Sequence, residues 1–131
     1  MVDEKKKKIL IVEDDEGFRD IVKTSFQGTE FETITAEDGE EGLKKEEEEH
    51  PDLILMDIMM PKMNGIQMAK KLKKDGITVP IIYLTNANDE ERISEVMEMG
   101  DGNVDYVVKT EVRIGDIIER IRKRLTKNQP T

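Results

Sequence analysis

Along this chain, short apolar runs take turns with stretches in which apolar residues recur every third or fourth position. The runs fall at residues 9–12, 31–35, 53–56, 81–84 and 104–108. Their length predicts strands, and the continuous apolarity of Leu53-Ile54-Leu55-Met56 predicts a strand covered on both faces, as in a parallel sheet. Between them, Phe18, Ile21, Val22 and Phe26 keep helical spacing after two capping candidates, Asp14 and Asp15. Ile114, Ile117, Ile118, Ile121 and Leu125 do the same near the end. A helix after Gly65 carries Met68, Ala69 and Leu72, and another, opened by Asn88 or Asp89, carries Ile93, Val96 and Met97. Strand and helix alternating without a long linker predict an α/β fold with a parallel sheet and right-handed crossovers.

The second helix departs from this pattern. From Gly39 it offers Leu43 as its large apolar residue and then runs Lys44-Lys45-Glu46-Glu47-Glu48-Glu49. Its propensity is good and its buried face thin, so it is expected to be the loosest, the charge run being a solvated face that leads to a turn at His50-Pro51. His50, the sole histidine, is assigned no role, and the eight methionines read as core filler.

Composition narrows the function. With 131 residues the chain suits one domain that needs no disulfides, and 30 acidic against 21 basic residues, a net charge of −9, make nucleic acid a poor direct partner. The absence of cysteine removes thiol nucleophiles and thiolate metal sites and is compatible with a reducing compartment. Four strongly apolar residues follow the lysines at 5–8 before three acids, too few for a signal peptide core or a membrane span, so a cytoplasmic location is expected.

The candidate chemistry sits where the strands stop. Asp57 ends the third apolar run, Glu13-Asp14-Asp15 ends the first, Thr85 follows the fourth and Lys109 the fifth. Parallel strands bring these ends to one edge, where such folds bind ligands. Crowded carboxylates there cost free energy unless protons or a cation relieve them, which points to a divalent metal site with a reactive carboxylate inside it. A hydroxyl to donate a hydrogen bond and an ammonium to pair with an oxygen complete a set suited to a phosphoryl group on Asp57. Singly, Asp14 and Asp15 read as helix caps, Asp57 as a turn former, Thr85 as a strand residue and Lys109 as a surface charge. Together at one edge, coincidence is the poorer account.

The order of four motifs resembles the receiver domain of two-component response regulators, a CheY-like fold, along nearly the whole chain. These motifs are Ile9-Leu10-Ile11-Val12-Glu13-Asp14-Asp15; Pro51-Asp52-Leu53 through Asp57 to Met60-Pro61-Lys62-Met63-Asn64-Gly65; Pro80-Ile81-Ile82-Tyr83-Leu84-Thr85; and Asp105-Tyr106-Val107-Val108-Lys109. The resemblance implies a five-stranded flavodoxin-like sheet of order 2-1-3-4-5, a receiver domain over 1–126 and a tail at 127–131. It implies Asp57 as phosphoacceptor, and Mg²⁺ held by Glu13, Asp14, Asp57 and the backbone carbonyl of Met59. Thr85, Tyr106 and Lys109 would couple the phosphoryl group to the surface of helix 4, strand 5 and helix 5. The implied partners are a sensor histidine kinase or phosphotransfer protein, a downstream protein or output domain, and a second copy through that surface, with no direct nucleic acid and no membrane. The chain would be a regulatory phosphoacceptor that assists only its own phosphorylation and dephosphorylation. No output domain fits after Leu125, which suits a single-domain regulator or a receiver cut from a longer chain.

Three departures bear on this. Asn86 replaces the small residue usual after the Thr, Thr110 replaces the Pro usual after the Lys, and the connection at 100–105 is longer by two residues. A dehalogenase-type phosphohydrolase would place an acid two residues after its nucleophile, where Met59 stands. An FMN-binding flavodoxin would not place Glu13-Asp14-Asp15-Glu16 where a phosphate must sit. The remaining alternative is a phosphorylation-independent interaction module or an engineered receiver-like scaffold, suggested by the Lys/Glu-rich surface.

Overall fold

The structure, a computed structural model, describes residues 6–86, 90–99 and 105–127. The strands are β1 (Lys7–Val12), β2 (Phe31–Ala36), β3 (Leu53–Asp57), β4 (Ile81–Thr85) and β5 (Asp105–Val108). They alternate with α1 (Glu16–Ser25), α2 (Gly39–Glu49), α3 (Gly65–Lys74), α4 (Glu90–Met99) and α5 (Ile114–Lys127). Every strand pairing is parallel and the sheet order is β2-β1-β3-β4-β5, the expected doubly wound α/β architecture. The expected helix opener at Asn88 or Asp89, Val104 and the long connection at 100–104 lie outside the described residues.

The two-residue period of each strand divides the core in two. Ile9, Ile11, Leu53, Leu55, Ile82 and Leu84 point to one face, where Val22 and Phe26 of α1 and Ile117, Ile118 and Ile121 of α5 cover them. Leu10, Val12, Ile54, Met56 and Tyr83 point to the other, under Met68, Ala69 and Leu72 of α3 and Val96 of α4. Four of the central residues of β1, Ile9 to Val12, are fully buried, as are Leu53 to Met56 of β3. Ile21 and Met97, expected on apolar helix faces, are 57% and 52% exposed. Each lies one step round from a buried neighbour, Val22 or Val96, at the margin of an apolar stripe narrower than the sequence suggests.

Side-chain caps set where the helices begin. Of the two candidates Asp15 caps α1, accepting from the Phe18 N–H at 3.2 Å, which leaves Asp14 to the acidic edge. Asp38 caps α2, and Asn64 with Gln67 forms a reciprocal capping box on α3. His50 closes α2 in the left-handed region, φ 47°, with its N–H donating to the Glu46 carbonyl at 2.9 Å, so the residue given no role is the helix's C-cap.

The buried face of α2 is thin in side chains, as expected, but it lies very close to its neighbours. A Cβ on Gly39 would come within 2.5 Å of the Met63 carbonyl oxygen, and one on Gly42 within 2.8 Å of the Met68 sulfur. Glycine is what allows that approach. Gly65 has the same purpose at the start of α3: its N–H donates to the Ile58 carbonyl at 2.8 Å, and any side chain would run into the Asp57 carbonyl. Gly65→Ala is therefore expected to lower stability by about 1–3 kcal/mol, the usual cost of overpacking. Gly115→Ala, in α5 with nothing within 4 Å of the added carbon, should be neutral or stabilising by up to about 1 kcal/mol through helix propensity. Urea unfolding of the two variants side by side checks the contrast, and equal effects would contradict it.

Candidate functional site

The register of the sheet brings the polar strand ends together. Val12 pairs with Met56 and Asp57 with Leu84, so Glu13 and Asp57 leave adjacent strands at the same level, and Thr85 pairs with Val108, one residue before Lys109. Backbone bonds continue the ladder past the strands: Glu13 N–H to the Ala36 carbonyl at 3.0 Å, Ile58 N–H to Leu84 at 3.0 Å and Lys109 N–H to Thr85 at 2.8 Å. Two residues expected just beyond their strands, Asp57 and Thr85, are the last members of β3 and β4.

At this edge Glu13, Asp14 and Asp57 each offer a carboxylate oxygen within 4.8 Å of the others. Glu13 and Asp57 are buried, at 0% and 2% exposure, while Asp14 is exposed. The Lys109 ammonium donates to Glu13 Oε1 at 2.5 Å and to Asp57 Oδ2 at 2.8 Å. Asp57 Oδ1 accepts from the Met59 N–H at 3.3 Å, which turns the chain so that Met59 follows beside the carboxylate. Thr85 is fully buried, and its hydroxyl donates to the Asn86 carbonyl at 3.1 Å. Tyr106 is 39% exposed on β5, its carbonyl accepting from Arg120 of α5 at 2.6 Å. The Lys109–Thr110 peptide is trans.

Thus Glu13, Asp14, Asp57 and Lys109 form one cluster, with Met59 bound to it through the backbone. Thr85 adjoins it through the sheet, and Tyr106 stands out toward solvent. Two residues that the sequence did not single out support the cluster. Arg19 of α1 donates to the Glu13 carbonyl at 2.9 Å and lies 3.9 Å from Glu37, tying the acidic turn to the next loop. Phe18, read only as a core residue, places its ring under the Lys109 ammonium. An arginine three residues into a predicted helix carries no sequence signal for such a bond.

Fully ionised, the buried charges would not cancel. Two buried carboxylates face one ammonium, and Glu13 Oε2 is buried without a hydrogen-bond partner. Burial, helped by the neighbouring Asp57 carboxylate, pushes the Glu13 carboxyl up to about 9, Lys109 opposing this. Burial also disfavours the charged form of Lys109, but its hydrogen bonds to Asp57 and Glu13 outweigh that and hold its pKa above the usual lysine value. An orphaned carboxylate oxygen, two further acid groups within reach and an all-oxygen donor set fit a hard divalent cation such as Mg²⁺.

A doubly wound sheet with an acidic cluster and a lysine at its carboxyl edge defines a CheY-like receiver fold. The family model of the response regulator receiver domain matches residues 9–122, and the chain belongs to that family. It is 43% identical over 103 residues to the alkaline phosphatase synthesis transcriptional regulatory protein PhoP of Bacillus subtilis, an alignment covering 79% of this chain and 42% of that protein. Among solved structures it is similar to the Francisella response regulator 1452 receiver domain, with TM-score 0.82 and 30% identity over 94% of this chain and 99% of that one. It is also similar to Vibrio cholerae chemotaxis protein CheY4, with TM-score 0.80 and 26% identity over 91% and 98%. The chain spans about half the length of the curated relatives it matches. It is a regulatory signalling domain of two-component systems, and among the described residues no helix is long and apolar enough to cross a membrane.

The Glu13 carboxyl fixes a pH dependence. Its folded pKa, about 9, lies above its ordinary value of 4.5, so folding of the metal-free protein takes up a proton between those values. The stability this group contributes is complete below the unfolded pKa and is lost as pH rises through the folded one. Urea unfolding in chelator should therefore show lower stability at about pH 8.5 than at about pH 6, with a ceiling near 1.4 kcal/mol per pH unit. Glu13→Gln should flatten that slope, and an unchanged slope in the variant would assign the titration elsewhere.

Proposed function

We propose that this chain is the phosphoacceptor of a two-component relay, with Asp57 receiving a phosphoryl group from a sensor histidine kinase or phosphotransfer protein. One observation carries the reading: the buried Asp57 carboxylate, at the end of β3, is held by Lys109 at 2.8 Å with Glu13 and Asp14 oxygens within 4.8 Å. An Asp57 oxygen attacks phosphorus, the P–N bond of the phosphohistidine breaks with its electron pair leaving on the imidazole, and an acyl phosphate remains. Negative charge spreads over the phosphoryl oxygens during transfer. Lys109 pairs with one of them, and the Thr85 hydroxyl turns from the Asn86 carbonyl to donate to another. Glu13, Asp14, Asp57 and the Met59 backbone carbonyl would hold Mg²⁺, which when bound supplies neutralising charge at the phosphoryl oxygens. Beyond assisting its own phosphorylation and dephosphorylation, the domain turns over no substrate.

The output is read on α4, β5 and α5. When Thr85 moves toward the phosphoryl group, Tyr106 leaves its exposed position for the space vacated, and the surface changes shape. The receiver domain occupies residues 1–126, with 127–131 as its tail, and works in the cytoplasm. With its charge of −9 it does not itself bind nucleic acid. It reports instead to a downstream protein or an output domain, such as the remaining half of its transcriptional relatives would supply, or to a second copy through the α4–β5–α5 face.

Labelling with a phosphorylated histidine kinase or a small phosphodonor tests the assignment. Label should appear only with Mg²⁺, be alkali-labile and vanish in Asp57→Asn. Label persisting in that variant would move the nucleophile elsewhere. Mg²⁺ at ten times its dissociation constant should raise stability by about 1.4 kcal/mol, and Asp14→Ala should remove most of the gain. An unchanged thermal midpoint with and without Mg²⁺ in the parent protein would refute the metal set. For the switch, beryllofluoride with Mg²⁺ should shift amide signals across α4, β5 and α5. Thr85→Ala or Tyr106→Ala should shrink those remote shifts while leaving Asp57 labelling largely intact.

A further inference from the structure

We propose that Phe18 is a positioning residue for the Lys109 ammonium, holding it at the Asp57 carboxylate from below. The inference rests on the phosphoacceptor reading of the same site. The Phe18 ring centroid lies 4.8 Å from Lys109 Nζ, within the range where the negative face of an aromatic ring attracts a cation. On its other sides the ammonium meets Glu13 Oε1 at 2.5 Å and Asp57 Oδ2 at 2.8 Å, so ring and carboxylates together enclose it and leave the side chain 13% exposed. Phe18 is itself fixed. Its N–H donates to the capping carboxylate of Asp15, and its ring packs against the core that contains Val22 and Leu84.

A lysine needs such a support more than an arginine would. Its charge is a point on a flexible four-carbon stem, and its reach is set by what surrounds it. After Lys109 the chain continues through Thr110 and Glu111, and the Lys109 N–H donates to the Thr85 carbonyl, a bond that fixes the Cα and not the ammonium. The carboxylates that now direct the ammonium change when Asp57 is phosphorylated, because one of its oxygens becomes part of the acyl phosphate and the negative charge moves outward. The Phe18 face does not change. It holds the cation in place through the transfer, so its effect extends to the phosphoryl state as well as the resting site.

The experiment follows beryllofluoride binding in saturating Mg²⁺ by NMR in the parent protein, Phe18→Leu and Phe18→Tyr, with the ε-methylene signals of Lys109 observed in each. Leucine keeps an apolar side chain and loses the ring face; tyrosine keeps the face. Phe18→Leu should bind the mimic about tenfold more weakly, the loss expected of a partly buried cation–π contact, and Phe18→Tyr should return to within about twofold of the parent. In the parent the Lys109 ε-methylene should resonate upfield of the other lysines, and that shift should disappear in Phe18→Leu. A parent that takes no beryllofluoride overturns the phosphoacceptor reading and this inference with it. A parent that binds, with Phe18→Leu binding equally well, overturns the role of Phe18 alone. Should Phe18→Leu not fold, the parent spectrum decides, since an ordinary Lys109 ε-methylene shift removes the ring from its neighbourhood.

Discussion

Glu13 and Asp57 are buried beside each other with one ammonium between them, and most of the local structure exists to hold that arrangement. Neither acid would choose the position. A parallel sheet sends the ends of β1 and β3 to one edge, and the continuous apolar runs that bury those strands bury their last residues too. The resulting repulsion is eased in part by Lys109, the residue after β5, brought to the same edge by the pairing of β5 with β4. Burial first, and then the neighbouring Asp57, raises the Glu13 pKa, and one Glu13 oxygen is left an acceptor without a partner. A proton relieves the excess in the metal-free molecule, and a divalent cation relieves it more fully, so proton and metal compete for one set of oxygens.

Much of this was legible because it depends on period and order alone. Continuous apolarity marks Leu53 to Met56 as a doubly covered strand, alternation of strand with helix makes the sheet parallel, and a parallel sheet gathers Glu13, Asp14, Asp57, Thr85 and Lys109 without any measured distance. The details that escaped are those set by distance or by backbone angle. Spacing could place Gly39 and Gly65 at helix starts but not reveal carbonyl oxygens where a Cβ would sit. Histidine is enriched in the left-handed region, but positive φ is rare enough outside glycine that the residue type alone does not announce the cap at His50. Ile21 has the right spacing, yet it falls at the margin of the stripe that buries Val22 and stays largely exposed. Phe18 scored as a core residue, which it is, and the ammonium against its other face comes from a residue 91 positions away in sequence, as the numbering of Phe18 and Lys109 shows.

The two sides of the site are built differently, and the difference matches the division of labour in the proposed switch. After Asp57 the chain is pinned at close intervals. Gly65 N–H binds the Ile58 carbonyl, the Asn64–Gln67 capping box starts α3, and the Met63 carbonyl accepts from Gly39 N–H at 3.2 Å, with Lys62 at φ 65° making the bend. Met59, bound through its N–H to Asp57, sits inside this pinned stretch. If its carbonyl serves as the proposed metal ligand, it is in place before any cation arrives, and little ordering cost would attend binding. On the opposite side, the Thr85 hydroxyl is satisfied by the neighbouring Asn86 carbonyl, an acceptor it can exchange for a stronger, charged one at small cost. Tyr106, half in solvent, likewise has little to lose by moving. Rigid support therefore lies beside the proposed phosphoacceptor and exchangeable contacts lie where the proposed switch would report it, an arrangement by which one charge added at Asp57 would alter a surface without disturbing the core between them.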